Sequence, residues 1–163
     1  MPLASAERME FRFEELMPYF RCQGTANIYE GVAPHDPDDI DESQASRIIQ
    51  VGQDWYVWAE WTATGWLNNA IDGTWHLQVF LEKMGVGEFQ LMSGPLEIPF
   101  VSENPHHYFR DIPFPATSMS VPAGLYKIAC SLTMIGPPPA KAPLPIAAVG
   151  EGPIVQFYEA VGP

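Results

Sequence analysis

A chain of 163 residues that is 47% apolar and 12% aromatic is neither wholly disordered nor dependent on covalent staples. At this size one domain buries roughly two thirds of the surface its unfolded form exposes. The net charge of -12, with only 8 Lys and Arg, argues against nucleic acid or an anionic membrane as partner, because phosphates are held by cations.

The opening M-P-L-A-S-A-E-R-M-E lacks the positive start and apolar stretch of a secretory signal. No apolar run approaches the ~20 residues that span a bilayer, so the expectation is a cytoplasmic protein with no membrane insertion. Cys22 and Cys130 stand far apart and are expected to be free, buried thiols.

Residues 1–31 read as an arm in which Met9, Phe11 and Phe13 alternate with Glu10, Arg12 and Glu14, as in a short strand. A helix over 7–17 competes, since Met9, Phe13, Leu16 and Met17 also share a helical face that Pro18 would end. The strand is the preferred reading. A second extended piece, Ala26 to Val32, is expected after Gly24. The run P-H-D-P-D-D-I-D-E-S-Q, residues 34–44, marks a solvated loop. Together these make 1–45 an arm and acidic loop packing on a sandwich formed by 46–163.

Ser46 to Val51 is the strand that enters the sandwich. The stretch from Gln53 to Glu82 then reads as two strands of one sheet, separated by the turn-forming N-N-A-I-D-G. In the second, Trp75, Leu77, Val79 and Leu81 fall on one face and Thr74, His76, Gln78 and Glu82 on the other, the period of a half-buried sheet. Glu88 to Met92 and Leu96 to Val101 are two strands, or one bent at Ser93-Gly94-Pro95. His106 to Ile112 is another. Residues 121–135 carry a strong strand signal, with Tyr126, Ile128, Cys130, Leu132 and Met134 on an apolar face. After the proline-rich 137–145, the last strand is interrupted by Gly150-Glu151-Gly152-Pro153 and is read as an edge strand with a bulge. The expected class is all-β, an antiparallel two-sheet sandwich with an N-terminal extended arm.

A Gly-x-Tyr entering a late strand, with a Trp-bearing strand about seventy residues earlier, resembles immunoglobulin-like and fibronectin type III-like sandwiches. The resemblance covers about residues 46–160. It implies that Tyr126 bonds its hydroxyl back to the chain at the turn, and that Trp55, Trp58 or Trp61 is the core tryptophan. It is a likeness of architecture, because Cys130 stands four residues after the tyrosine and the Trp strand has no cysteine.

No motif carries chemistry. The acidic loop fails as an EF-hand: counting from Asp36, the sixth position is Asp41 rather than Gly and the twelfth Arg47 rather than Glu. His106 and His107 are adjacent, so a strand sends them to opposite faces, and neither they nor His35 and His76 have zinc-site spacing. Residues 137–145 lack P-x-x-P, and the Gly-x-Gly pairs at 85–87 and 150–152 open no helix. Neither a cofactor nor a metal is expected, and the chain is read as non-enzymatic.

The aromatics give the sharper expectation. On the strand from Trp55 to Trp61 both faces carry rings, and only one face can be core. Tyr56 and Trp58, with Phe80 from the neighbouring strand, are candidates for a contact with protein, and Met9, Phe11 and Phe13 form an apolar strand in need of a partner. Tyr126, Trp55 and Trp75 are read as structural. The leading expectation is an interaction or assembly protein, self-associating or binding another protein, working through an edge strand, the arm and an exposed aromatic face. The alternative is a carbohydrate- or small-ligand-binding module that stacks its ligand on Tyr56 and Trp58.

Overall fold

The computed structural model of the chain describes residues 8–15, 18–85, 87, 89–117 and 120–161. The reading of the first seven residues, and the Leu16–Met17 end of the alternative helix, lie outside these. In chain order the strands are β1 (Met9–Glu10), β2 (Arg12–Glu15), β3 (Arg21–Glu30), β4 (Ile48–Gln50), β5 (Trp55–Thr64), β6 (Thr74–Lys83), β7 (Gln90–Met92), β8 (Leu96–Pro99), β9 (His106–Phe114), β10 (Gly124–Ile135) and β11 (Pro143–Tyr158). They form two sheets. The first is ordered β1-β3-β5-β9; the second runs β2-β11-β10-β6-β7, with β8 beside β6 and β4 beside β11. All pairings are antiparallel except that of β4 with β11. The protein is an all-β sandwich. Among the described residues no helix is long and apolar enough to cross a membrane.

The core lies between the sheets and follows from alternation along each strand. Trp75, Leu77, Val79 and Leu81 of β6 are buried, and so are Trp55, Val57, Ala59, Trp61 and Ala63 of β5. Trp61 meets Trp75 edge-on with ring centroids 5.9 Å apart, and Trp55 stacks on Phe114 at 4.0 Å. Aromatic contacts of this geometry add about 0.5–1.5 kcal/mol each beyond the area they bury.

Three expectations need correction. First, β5 and β6 are not neighbours in one sheet. Between them a short 3-10 turn, Trp66–Asn69, carries the chain from one layer to the other. A period of two is the same whether a pair closes as a hairpin or arches across the core, so the strands were readable and their pairing was not.

Second, β11 is not an edge strand. β10 lines one side of it, while β2 pairs with Ile146–Val149 and β4 with Gln156–Tyr158 on the other. The bulge is present, where the partners of Lys127 and Ala129 jump from Ile154 to Glu151. Pro153 sits in this irregular stretch, between the spans that β2 and β4 reach.

Third, the arm is not a layer laid on a finished sandwich. Met9 pairs with Ala26 of β3, the Phe11 amide donates to the Gly24 carbonyl at 3.0 Å, and Phe13 pairs with Ala148 of β11. The arm thus crosses from one sheet to the other with Met9 and Phe11 buried. β3 also starts earlier than expected and runs through Gly24. A Cβ there would lie 2.3 Å from the Glu60 carbonyl oxygen and 2.6 Å from the Trp61 Cβ, so glycine lets β5 approach closely.

As expected, β7 and β8 lie end to end along β6, divided at Ser93-Gly94-Pro95. Neither cysteine is in a disulfide; Cys130 is buried and Cys22 half-buried.

Candidate functional site

The outer face of the first sheet holds the aromatics that composition singled out, and they are covered. Tyr29 and Tyr56 face each other across β3 and β5 and stack at 5.1 Å; Trp58 stacks on Phe109 of β9 at 5.9 Å. Ala33, Ile40 and Ala45, from the acidic loop and its flanks, pack over Tyr29, Tyr56 and Trp58. Tyr56 and Trp58 keep only 7% and 5% of their surface exposed, too little for a sugar ring to lie on. The Trp58 indole donates to the Glu60 carboxylate at 2.8 Å. Burial pushes the Tyr29 hydroxyl up to about 12, and burial followed by the charge of Asp111 raises that of Tyr56. Between the 31–35 turn and β9 remains a groove of about 430 Å3, in which Tyr56 and Trp58 show only their margins beside Phe109 and Asp111.

The other candidates separate. Phe80 belongs to the opposite sheet, where it sits half-exposed between Met92 and Ala129, so it cannot share a platform with Tyr56 and Trp58. Met9 and Phe11 are core residues; Phe13 is half-buried at the wall of a groove lined by Arg8, Arg12 and Glu14. Trp55, Trp75 and Tyr126 are fully buried, and the Tyr126 hydroxyl donates to the Pro122 carbonyl at 2.6 Å, closing the turn into β10.

The acidic loop is built by its own carboxylates. Asp36 accepts from the Asp38 amide at 2.9 Å, and Asp41 accepts from the amide and hydroxyl of Ser43 at 3.0 and 2.6 Å, bonds that hold the Asp41 carboxyl below its usual range. Among the described residues no three His, Cys, Asp or Glu side chains converge as metal ligands. His106 rests 2.9 Å from Glu103, and His107 lies 3.8 Å from Glu60 on the other face.

What remains open is the margin of the first sheet at β9. In an antiparallel ladder, successive residues aim their main-chain N–H and C=O alternately at the two neighbouring strands. On β3, Ile28 accepts from the Ser46 amide and Gly24 from the Phe11 amide, both at 3.0 Å, so the even residues of β3 point away from β5. The odd residues of β3 therefore bond even residues of β5, and the odd residues of β5 turn to β9. There their partners are His106, Tyr108, Arg110, Ile112 and Phe114. The N–H and C=O of His107, Phe109 and Asp111 consequently face outward. Pro113 shares that parity, where its missing donor costs the ladder nothing.

The chain matches no protein-family model, no curated protein and no solved structure.

Along this margin, among the described residues, no strand pairs with β9. Phe109 is 45% exposed above it, flanked on the same face by His107 and Asp111. The edge therefore presents alternating donors and acceptors at strand spacing with an aromatic anchor at the centre, the chemistry of main-chain pairing with an extended partner. Alternation marks this strand in the sequence, but the proline and glycines of β11 point to the wrong edge, because which strand is outermost depends on long-range pairing. Tyr19 and Trp66 are two further exposed rings that alternation does not mark. Their only signal was position in turns, beside Pro18 and after Gly65.

Proposed function

We propose that the chain is a non-enzymatic, immunoglobulin-like sandwich protein of the cytoplasm that associates with protein by strand addition at β9. The observation that carries this reading is the outward row of main-chain groups at His107, Phe109 and Asp111, bounded by prolines and topped by an exposed phenyl ring. Natural sandwiches blunt open edges with bulges, covers or inward charges. Here the stretch from His106 to Ile112 is a regular ladder without proline. The lack of a disulfide between Cys22 and Cys130 accords with a reducing compartment, and the turn bond of Tyr126 accords with the immunoglobulin-like resemblance.

Asp111→Pro tests the edge directly, because its amide faces outward and the internal ladder loses no bond. With a seven-residue peptide of alternating valine and lysine as probe, the amide resonances of residues 107, 109 and 111 should shift more than those of their even neighbours. The proline variant, still folded, should lose the response. Shifts confined to another surface, or indifferent to the proline, would remove the reading.

A second reading, glycan binding, is favoured by one observation away from Tyr56 and Trp58. Tyr19 and Trp66 are 74% and 67% exposed, and the Leu67 amide donates to the Tyr19 carbonyl at 3.1 Å, so the two rings rise from hydrogen-bonded turns. Rings held so openly suit stacking on a pyranose face. Titration with a glycan panel should then quench fluorescence in the native chain and not in Trp66→Ala; equal responses of the two would dismiss it.

A further inference from the structure

Resting on the strand-addition reading, we infer that the segment taken up by β9 is β9 of a second copy of this chain, antiparallel and in the register that sets Phe109 opposite Phe109. Only odd residues offer outward N–H and C=O, so a two-fold pairing must match odd with odd. Side chains choose among the registers that remain. Centring the axis on His107 or Asp111 sets like residues of the same charge type against each other. Moving it to Arg110 opposes two guanidinium groups, and moving it to Tyr108 sets Arg110 against His106. Centring on Phe109 sets ring against ring, and places each His107 across from the partner copy's Asp111 on the same outer face. The equivalent ends of this ladder are Pro105 and Pro113, neither of which has a donor, so the pairing stops where the donors do.

The result joins two four-stranded sheets into one continuous sheet. Each Phe109 already rests on its own Trp58 at 5.9 Å, so the new contact completes an aromatic row across the junction with rings fixed before association.

The register gives the test. Opposed residues of a hydrogen-bonded antiparallel pair have Cα atoms about 5.5 Å apart, within reach of a disulfide. In a Cys22→Ser background, Phe109→Cys should cross-link to itself under mild oxidation. His107→Cys and Asp111→Cys should each fail alone, since like positions are then offset by about 13 Å along the strands, and should cross-link when mixed. The mixture keeps Phe109, so the register stays testable if Phe109→Cys does not fold. Sedimentation equilibrium of the native chain should show a reversible dimer, with Asp111→Pro raising its dissociation constant at least about tenfold. A native chain that stays monomeric while the valine–lysine peptide still docks overturns self-pairing and leaves strand addition standing. Failure of both overturns both. A dimer that cross-links in any other pattern overturns the register.

Discussion

Met9 sits where the arm crosses β11, and Gly150 and Gly152 leave room for it: a Cβ on Gly152 would lie 2.5 Å from the Ile128 Cγ2 and 2.8 Å from the Met9 Cγ. The Gly-Glu-Gly run is thus the seat of a buried side chain, which no local reading distinguishes from a turn. Gly152→Ala should cost about 1–3 kcal/mol in urea unfolding, because Ile128 is stiff at χ1 and cannot retreat. Tyr126→Phe removes the donor to Pro122 and should cost about 1 kcal/mol by the same measurement. Cys130 gives a test in alkali. Burial pushes its thiol from an ordinary 9.0 up to about 12, so the unfolded chain loses the proton first as pH rises. The stability this group contributes below pH 9 should drain away toward pH 12, by up to about 1.4 kcal/mol per pH unit. Cys130→Ala should flatten that fall; an unchanged slope would show that the thiol ionises alike in both states.

Among the elements, the acidic loop has the least expected role. Its carboxylates cap its own short turns, while Ile40 reaches down onto Tyr29, Tyr56 and Trp58. The loop covers the second apolar face that the sequence showed on β5. Ile40→Asp should therefore cost about 1–2 kcal/mol, less than a fully buried side chain because Ile40 is half-exposed. A loss like that of a surface substitution would mean that the loop is not a cover. Strands were legible wherever alternation was clean, as in β6 and β10, since that pattern is local. The partners were not. Whether β5 pairs with β6, whether β11 is outermost, and whether Met9 and Phe11 lie inside or outside depend on contacts between distant segments, and alternation is the same in every case. For this reason the candidate site was only partly legible: Phe80, Tyr56 and Trp58 were identified as facing away from a core, but the sheets that carry them and the loop over two of them were not.

At the scale of the whole molecule, a sandwich with a net charge of -12 repels its own copies, and association must come from local pairing. In the proposed dimer β9 would supply it through the outward main-chain groups of its odd residues, one exposed ring, and His107 beside Asp111. Added salt should strengthen the dimer, because screening relieves the long-range repulsion more than it weakens pairs in contact. Amide hydrogen exchange along 106–112, followed as the native chain is concentrated, reads the pairing of β9 residue by residue. The even amides, bonded to β5, should be protected throughout, while those of His107, Phe109 and Asp111 should exchange freely when dilute and become protected together as concentration rises. Odd amides that stay unprotected at every concentration, or that are already protected when dilute, would rule out pairing at this edge.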